Sequence, residues 1–373
     1  MTVVDDLVRA AITRRGPLRF DEVMDLALYH PDGGFYSSGG QAGRRGDFVT
    51  SPEIGPLFGA VIARALDRWW REQGEPSTFV VVEAGAGPGT LARTVLAAQP
   101  ACAAALRYVL VESSPAQRAQ HAAGLALDEP SQAFARALEP DEEREGPTPA
   151  PPSGPIVVSL AALPRLPGPC VVLANELLDN LPVGLLERTA DGWSEVRIGV
   201  HDDELIELLV PLAASEAPRV EAPLGGRVPT FARASAWVRD AVALAADGGR
   251  VVAFDYARPL AELAARPIGE WLRTYRAHGP GSSPLHALGG QDITVDVAPD
   301  GLRPPPARVT SQADWLREQG IEALVADGRR VWSERAAIGD LEAIRARSRV
   351  TEAEALLDPS GPGGFLVLEW DGR

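Results

Sequence analysis

An apolar run that leads straight into a glycine-rich turn constrains the fold of this chain most. Residues 79–91 read FVVVEAGAGPGTL, four apolar residues and then the spacing G-x-G-x-G. The apolar run predicts a strand buried on both faces, as in a parallel sheet. Gly85, Gly87 and Gly89 carry no Cβ, so the backbone can turn sharply there and approach a ligand closely. Taken alone, the segment also fits an ordinary glycine-rich β–α turn.

Acidic residues accompany this strand and the next one. Glu83 stands two positions before the first glycine, where a carboxylate suits S-adenosylmethionine (SAM), a sulfonium with an ammonium group, better than a pyrophosphate. Residues 106–111 predict a second strand, and Glu112 follows it directly. A carboxylate at that strand end can accept hydrogen bonds from both ribose hydroxyls of a bound nucleoside. The alternative for Glu112 is a solvated residue at a strand end.

Composition narrows the class of protein. The net charge of −15 argues against a nucleic-acid partner, which needs a basic surface. The chain contains no lysine, which excludes a P-loop lysine, a pyridoxal Schiff base and a lysine nucleophile. Two cysteines and five histidines show no metal-ligand spacing, so no metal site is predicted. No apolar run is long enough for a membrane span and no targeting signal is evident, so we expect a cytoplasmic protein without membrane insertion.

Alternating helix and strand patterns along the chain predict an α/β fold with additions. The predicted domains are a helical N-terminal cap region, residues 1–75, and a Rossmann-like doubly wound domain, residues 76–373. Alternating apolar residues predict a small inserted excursion of antiparallel strands at about residues 184–230. Residues 271–296 are expected to form a polar loop, and residues 135–155, rich in proline and glutamate, an exposed one.

Polar residues end four of the predicted strands. They are Glu83, Glu112, Asn175–Glu176 and Asp255–Tyr256. In an open parallel sheet a ligand binds beyond the carboxyl ends of the strands. Acids at all of these positions therefore favour a binding site over a fold without one.

Several blocks of the sequence resemble the MidA family of SAM-dependent methyltransferases. The blocks are G-D-F-x-T-S-P-E at 46–53, E-A-G-A-G-P-G at 83–89, V-E-S-S-P at 111–115, N-E-x-x-D-x-L-P at 175–182, D-Y at 255–256 and Q-D-I-T at 291–294. The resemblance implies a class I SAM-methyltransferase fold with a helical N-terminal region, and SAM as the cofactor. Mitochondrial members of the family are protein-arginine methyltransferases that assist assembly of respiratory complex I. Leu177 and Leu178 replace an aromatic pair of the family, which leaves the acceptor open.

The predicted cofactor site combines the glycine loop with flanking polar residues. The glycines would pack against the methionine moiety and ribose, and Glu112 would bind the ribose hydroxyls. Glu83 would orient the loop or reach the cofactor's ammonium through water, and Asn175 at a strand end is a further candidate. Asp47 is placed near the amino-acid end of the cofactor. For Thr50 and Ser51 in the same block there are two alternatives, a contact with the cofactor or a cap on the helix that follows.

Four residues are candidates for work on the methyl acceptor. If the acceptor is arginine, its guanidinium, with a pKa above about 12, must lose a proton during or after attack. Glu176 and Asp179, three residues apart after a strand, could converge on the guanidinium, and Glu53 is a third carboxylate candidate. Alternatively, Asp179 caps a helix and Glu176 holds a backbone amide. His278 could be a general base or a structural histidine.

Three functions stay open at this stage. The first is a SAM-dependent methyltransferase that acts on a protein, at an arginine side chain. The second is a SAM-binding assembly factor or scaffold without essential catalysis, and the third is a small-molecule methyltransferase. The expected partner is a protein substrate, with a respiratory-complex subunit as one candidate, and an oligomer is compatible with the sequence.

Overall fold

The computed structural model describes residues 2–39, 50–134, 153–166, 168–276 and 279–372. The helices in these ranges are α1 (Val3–Arg15), α2 (Phe20–Tyr29), α3 (Ser51–Ile54), α4 (Pro56–Glu72), α5 (Thr90–Ala97), α6 (Pro115–Arg118), α7 (His121–Gly124), α8 (Pro130–Phe134), α9 (Ala232–Ala245), α10 (Leu260–Ala265), α11 (Gln312–Glu318), α12 (Ile321–Arg335) and α13 (Leu341–Leu357). The strands are β1 (Leu18–Arg19), β2 (Phe79–Ala84), β3 (Leu106–Val111), β4 (Ile156–Leu160), β5 (Cys170–Asn175), β6 (Gly184–Thr189), β7 (Gly192–His201), β8 (Glu204–Pro211), β9 (Arg227–Thr230), β10 (Arg250–Asp255), β11 (Leu272–Arg276), β12 (Gly279–Pro280), β13 (Asp292–Val295), β14 (Arg308–Ser311) and β15 (Leu366–Asp371).

The chain divides into two units that interleave along the sequence. Unit 1 comprises Met1–Phe48, Glu176–Asp240 and Asp255–Pro306. Unit 2 comprises Val49–Asn175, Ala241–Phe254 and Ala307–Arg373. The predicted boundary at residue 75 falls within unit 2, and the division into a cap region and a catalytic domain stays a prediction.

A seven-stranded sheet forms the centre of unit 2. Its strand order is β14-β15-β10-β5-β2-β3-β4, in which β10, β5, β2, β3 and β4 run parallel and β14 is antiparallel to β15. From β2 the chain first builds outward through β3 to β4, and later adds β5 and β10 on the other side. Every residue of β3 is buried, as expected for a strand covered on both faces. The predicted doubly wound fold is confirmed, with its switch point between β2 and β5.

Helix α4 covers part of this sheet with one apolar face. The buried side chains Phe58, Ile62, Leu66 and Trp69 recur at intervals of three or four residues, as one face of an α-helix requires. Phe58 packs edge-on against Phe254 of β10 with 5.4 Å between ring centroids. Burying each such side chain contributes on the order of 2 kcal/mol to folding.

A distant carboxylate completes the N-terminus of α4. Gly55, the residue before the helix, has no side chain to accept a bond from the first free amides. Glu352 of α13 supplies the acceptor, because its Oε2 lies 2.8 Å from the Leu57 nitrogen and its Oε1 accepts from the Ser348 hydroxyl. A Cβ on Gly55 would collide with the Glu352 carboxyl group, so the glycine makes room for this cap.

Two antiparallel sheets belong to unit 1. The inserted excursion forms a five-stranded sheet in the order β1-β7-β6-β9, with β8 paired to β7, which confirms the predicted insertion and adds β1 to it. The expectation of a continuous loop over residues 271–296 is wrong, because a three-stranded sheet in the order β12-β11-β13 takes up the two ends of this segment. Its strands are too short and polar to show a clear alternation, and they are fixed by pairing and by burial of Ile293 and Val295.

We expect Glu352→Ala to lower the free energy of unfolding by about 2 kcal/mol, because the α4 amides lose both a hydrogen-bond acceptor and a charge that favours a helix N-terminus. Urea unfolding followed by circular dichroism measures the change. Glu354→Ala, an exposed position on the same helix, is the control and should change stability by less than about 0.5 kcal/mol. Equal stability of the two variants would contradict the capping role.

Candidate functional site

The glycine loop begins at the switch point of the unit 2 sheet. Ala84 at the end of β2 pairs with Ala174 of β5, one residue before Asn175 ends that strand. The φ values of Gly85, Gly87 and Gly89 are 66°, 53° and 79°. This left-handed backbone conformation is costly for residues other than glycine. The glycines are therefore required by the loop conformation, at the place where open α/β sheets bind ligands.

Glu112 holds this loop from the end of the neighbouring strand. Its Oε2 accepts a hydrogen bond from the Gly87 nitrogen at 2.9 Å, and its Oε1 accepts one from the Ser114 nitrogen at 2.7 Å. Burial raises the pKa of the Glu112 carboxyl, and the amide hydrogen bonds oppose that rise. Glu112 thus positions the loop as well as standing where a ribose would bind.

The loop and its carboxylate fit an adenosyl cofactor. Gly85 is exposed, and a Cβ built on Gly87 would meet only one atom within 4 Å among the described residues, Oε1 of Gln117 at 3.3 Å. The open side of the loop therefore admits the close approach of a ligand. A carboxylate can accept about four hydrogen bonds. On Glu112, the described donors are the backbone amides of Gly87, Ser113 and Ser114. Acceptor capacity remains there for a ribose hydroxyl.

Glu83 lies on β2, and its side chain is buried. Its side chain is 4% exposed, and its Oε2 accepts a hydrogen bond from the Tyr108 hydroxyl on β3 at 2.6 Å. Burial raises the pKa of Glu83 to about 7, although the Tyr108 hydrogen bond and the charge of Arg93 pull it down. Sequence reasoning did not identify Tyr108 as a partner, since strand register decides which side chains meet.

A second group of polar residues lies in unit 1, where three aspartates are buried together. Asp255 is fully buried; its Oδ2 accepts from the nitrogens of Leu178 at 2.8 Å and Asp179 at 3.3 Å. Asp292 is also fully buried, and its Oδ1 accepts from the Tyr36 hydroxyl at 3.0 Å and from Nδ2 of Asn180 at 3.2 Å. These bonds fix the short turn that carries Asp179.

Asp179 is the least satisfied member of this acid cluster. Its side chain is 4% exposed, and its Oδ1 has no hydrogen-bond partner among the described residues. Burial raises the pKa of Asp179 well above its usual range, and the charges of Asp255, Asp292 and Glu176 raise it further. Glu176 has a φ of +50°, uncommon for a residue other than glycine. Strain of this kind concentrates at functional sites.

The predicted site residues fall into three sets. Six of them belong to unit 2, namely Glu83, Gly85, Gly87, Gly89, Glu112 and Asn175. The first five form or flank the glycine loop. Glu176 and Asp179 belong to the acid cluster of unit 1, whereas Glu53 lies on α3 of unit 2. Asp47 and His278 lie outside the described residues.

The structure also corrects some local alternatives. Thr50 precedes α3 without a side-chain cap bond, and the Ser51 hydroxyl contacts Oε1 of Gln312 at 3.3 Å. The short turn Leu178–Asn180 has no side-chain cap either, and the amides of Leu178 and Asp179 bind Oδ2 of Asp255. Asp292 is not among the predicted site residues; its place in the Q-D-I-T block of the family resemblance is the available signal. Within the described ranges, no cluster of histidine, cysteine or acidic side chains could hold a metal ion.

Comparisons with known proteins agree with this geometry. A family model described as "Putative S-adenosyl-L-methionine-dependent methyltransferase" matches residues 61–303. A Drosophila melanogaster relative, "Protein arginine methyltransferase NDUFAF7 homolog, mitochondrial", is 32% identical over 78% of this chain and 67% of its own length. The human "Protein arginine methyltransferase NDUFAF7, mitochondrial" is 30% identical over 56% of this chain and 47% of its own length. The chain thus spans about half to two thirds of these relatives.

A solved structure extends the similarity to nearly the whole chain. The crystal structure of a COG1565 superfamily protein from Burkholderia thailandensis, bound to S-adenosyl-homocysteine, matches with a TM-score of 0.76 and 28% identity. The match covers 99% of this chain and 91% of that one.

One sequence-based prediction is overturned by the relatives. The curated relatives are named as mitochondrial proteins, so the expected cytoplasmic location is wrong. Among the described residues, no helix is long and apolar enough to cross a bilayer. Sequence family, fold and glycine loop agree on one conclusion: the chain belongs to the MidA family of SAM-dependent methyltransferases and uses SAM as its cofactor.

Proposed function

We propose that this enzyme transfers the methyl group of SAM to an arginine side chain of a protein acceptor. The observation that carries the proposal is the acid cluster of unit 1, in which Asp179, Asp255 and Asp292 are buried together near Glu176. The relatives' names, protein arginine methyltransferases, support the same acceptor.

Charge explains why a guanidinium suits this cluster. Burial and mutual repulsion raise the pKa values of Asp179 and Asp255, so neighbouring carboxylates there are hard to ionise together. A bound cation would offset that repulsion, and the planar guanidinium can satisfy two carboxylate oxygens at once. The free Oδ1 of Asp179 is the acceptor atom that such a ligand would satisfy. A neutral acceptor could donate a hydrogen bond to this oxygen, but it would not offset the repulsion among the carboxylates.

The proposed chemistry assigns binding and proton transfer to these acids. SAM supplies a methyl group activated by its sulfonium; the carbon–sulfur bond breaks as a carbon–nitrogen bond forms. Glu176 and Asp179 would hold the guanidinium in one orientation, and holding a reactant in a fixed orientation is a large source of rate enhancement. The nitrogen gives up a proton during or after attack. Asp179 would take that proton, since a bound guanidinium favours the ionised form of a neighbouring carboxylate, which can then act as the base.

The other predicted residues keep supporting roles in this proposal. Gly85, Gly87 and Gly89 would contact the methionine moiety and ribose, and Glu112 would accept bonds from the ribose hydroxyls. The contacts of Glu83 with Tyr108 favour a role in orienting the loop over one in direct binding. Asn175 and Asp47 stay candidates for the amino-acid end of the cofactor, and Glu53 and His278 for the acceptor side.

The acceptor protein is proposed at the level of its class. A respiratory-complex subunit is the candidate that the family resemblance implies. Leu177 and Leu178 stand where the family has an aromatic pair, directly before Asp179, so selectivity among arginine-containing proteins is expected to differ from that of the relatives. An oligomeric enzyme is compatible with this proposal.

We expect Glu112→Ala to weaken SAM binding at least about tenfold and Gly87→Val to abolish it. The first change removes an acceptor for both the loop and the ribose, and the second places a branched side chain at a left-handed φ on the open side of the loop. Calorimetric titration with SAM measures both. Ala98→Val, after the end of α5, is a control for added bulk. Unchanged affinity in folded Glu112→Ala would contradict the cofactor role of this carboxylate.

We expect Glu176→Gln and Asp179→Asn to lower arginine methylation about 100-fold or more while SAM still binds, since general acid–base groups contribute at least that much. A protein extract is incubated with labelled SAM, and methylarginine is quantified by mass spectrometry after hydrolysis. Asp202→Asn, at a side chain that is 90% exposed, is the matched control. Label on residues other than arginine would refute the acceptor, and full activity of Glu176→Gln would point to a different catalytic group. Absence of methylation by a wild type that binds SAM would favour a cofactor-binding scaffold.

We expect the free energy of unfolding to fall by up to about 3 kcal/mol between pH 4.5 and 7 because of Glu83. Its pKa is about 7 in the folded protein against an ordinary 4.5, so in this window only the folded state retains the proton, and stability drops as pH rises. Glu83→Gln keeps an acceptor for Tyr108 without titrating, so its profile should lack this fall. Urea unfolding of cofactor-free protein at several pH values measures it, with Glu129→Gln, an exposed acid, as control. Parallel profiles for wild type and Glu83→Gln would contradict the raised pKa.

A further inference from the structure

We infer that His121 is a positioning residue of the cofactor site, which holds the glycine loop in the conformation that receives SAM. His121 lies at the start of α7 and is fully buried. Its Nε2 is 2.8 Å from the carbonyl oxygen of Gly87, and its Nδ1 is 2.8 Å from the hydroxyl oxygen of Ser159 on β4. The inference depends on the cofactor and not on the identity of the acceptor.

The partners of His121 determine its tautomer. A peptide carbonyl can only accept, so Nε2 carries the proton and donates it to Gly87. Nδ1 is then unprotonated and accepts from the hydroxyl of Ser159. Burial lowers the pKa of His121. The hydrogen bond to Gly87 opposes that fall and the charges of Arg118 and Arg93 add to it, and the net lowering favours this neutral form. Ser159 therefore keeps the imidazole oriented as a donor toward the loop.

His121 and Glu112 together bind both backbone polar groups of Gly87. Glu112 accepts from its nitrogen, and His121 donates to its carbonyl oxygen. Glycine loses more conformational freedom on ordering than any other residue, so a loop with three glycines needs such contacts to stay in one conformation. Two side chains from different elements thus select the conformation with a φ of 53° at Gly87.

The imidazole also supports the last glycine of the loop. A Cβ built on Gly89 would lie 3.3 Å from Cδ2 of His121 and 3.1 Å from Cδ2 of Leu110. The ring therefore packs directly against the Gly89 backbone. Removing it would leave a buried cavity under the loop and an unsatisfied carbonyl at Gly87. Cofactor binding would then have to order the loop, at a cost in affinity.

A comparison of three substitutions tests the inference. The amide nitrogen of glutamine reaches the place of Nε2, so His121→Gln can still donate to Gly87, whereas His121→Asn reaches only the place of Nδ1. Calorimetric titration with SAM, and separately with S-adenosyl-homocysteine, measures affinity, and urea unfolding measures stability. We expect the Kd to rise about tenfold in His121→Ala and His121→Asn, and to stay within about threefold of wild type in His121→Gln.

The control is Val158→Ala, which truncates a buried side chain on β4 next to Ser159 and leaves His121 and its two partners in place. It should lower stability with little change in affinity. Equal affinity of all three His121 variants, or an equal loss of affinity in Val158→Ala, would overturn the inference. If His121→Ala does not fold, the comparison of the glutamine and asparagine variants decides. If the wild type does not bind SAM, the cofactor site as a whole is wrong. This outcome is distinct from failure of the His121 inference, because it is seen in the wild type and not in the variants.

Discussion

Burial of carboxylates at the ends of parallel strands is the constraint on which the rest of this structure depends. An ionised carboxylate taken out of water is costly unless it is hydrogen-bonded. Here the loops that follow the strands provide the donors, since their first backbone amides have no strand partner. Glu112 binds the amides of Gly87 and Ser114, and Asp255 those of Leu178, Asp179 and Tyr256. The acids and the loops therefore stabilise each other.

The two groups of buried acids differ in how completely they are satisfied. In unit 2, backbone amides bind Glu112 and a tyrosine hydroxyl binds Glu83, so both carboxylates have hydrogen-bond donors without a ligand. In unit 1, Asp179 keeps a buried oxygen without a described partner while other acids repel it. Preorganisation suits a cofactor common to every turnover. Under the proposed function, the unsatisfied acid is the group that gains most when a cationic acceptor binds.

Local signals explain which features could be predicted from the sequence. The strand at β2, the glycine loop and Glu112 follow from an apolar run, a glycine spacing and a second strand. The sheet of β11, β12 and β13 could not be predicted, because its strands have five, two and four residues and are defined by their pairing. The contact of His121 with Gly87 spans 34 residues and carries no local pattern. Partners of buried polar atoms depend on how elements pack, which one sequence does not state.

The cap of α4 by Glu352 has a consequence for synthesis of the chain. The two residues that it joins, Leu57 and Glu352, are 295 positions apart. On a ribosome the early helix therefore emerges long before the residue that completes its N-terminus, and strand β15 of the same sheet follows later still. Unit 2 therefore cannot complete its packing until nearly the whole chain has been synthesised. Phe254 and Trp315, which pack against Phe58 and Trp69 of α4, are also made late, so we expect part of the apolar face of this helix to be accessible to chaperones during that interval.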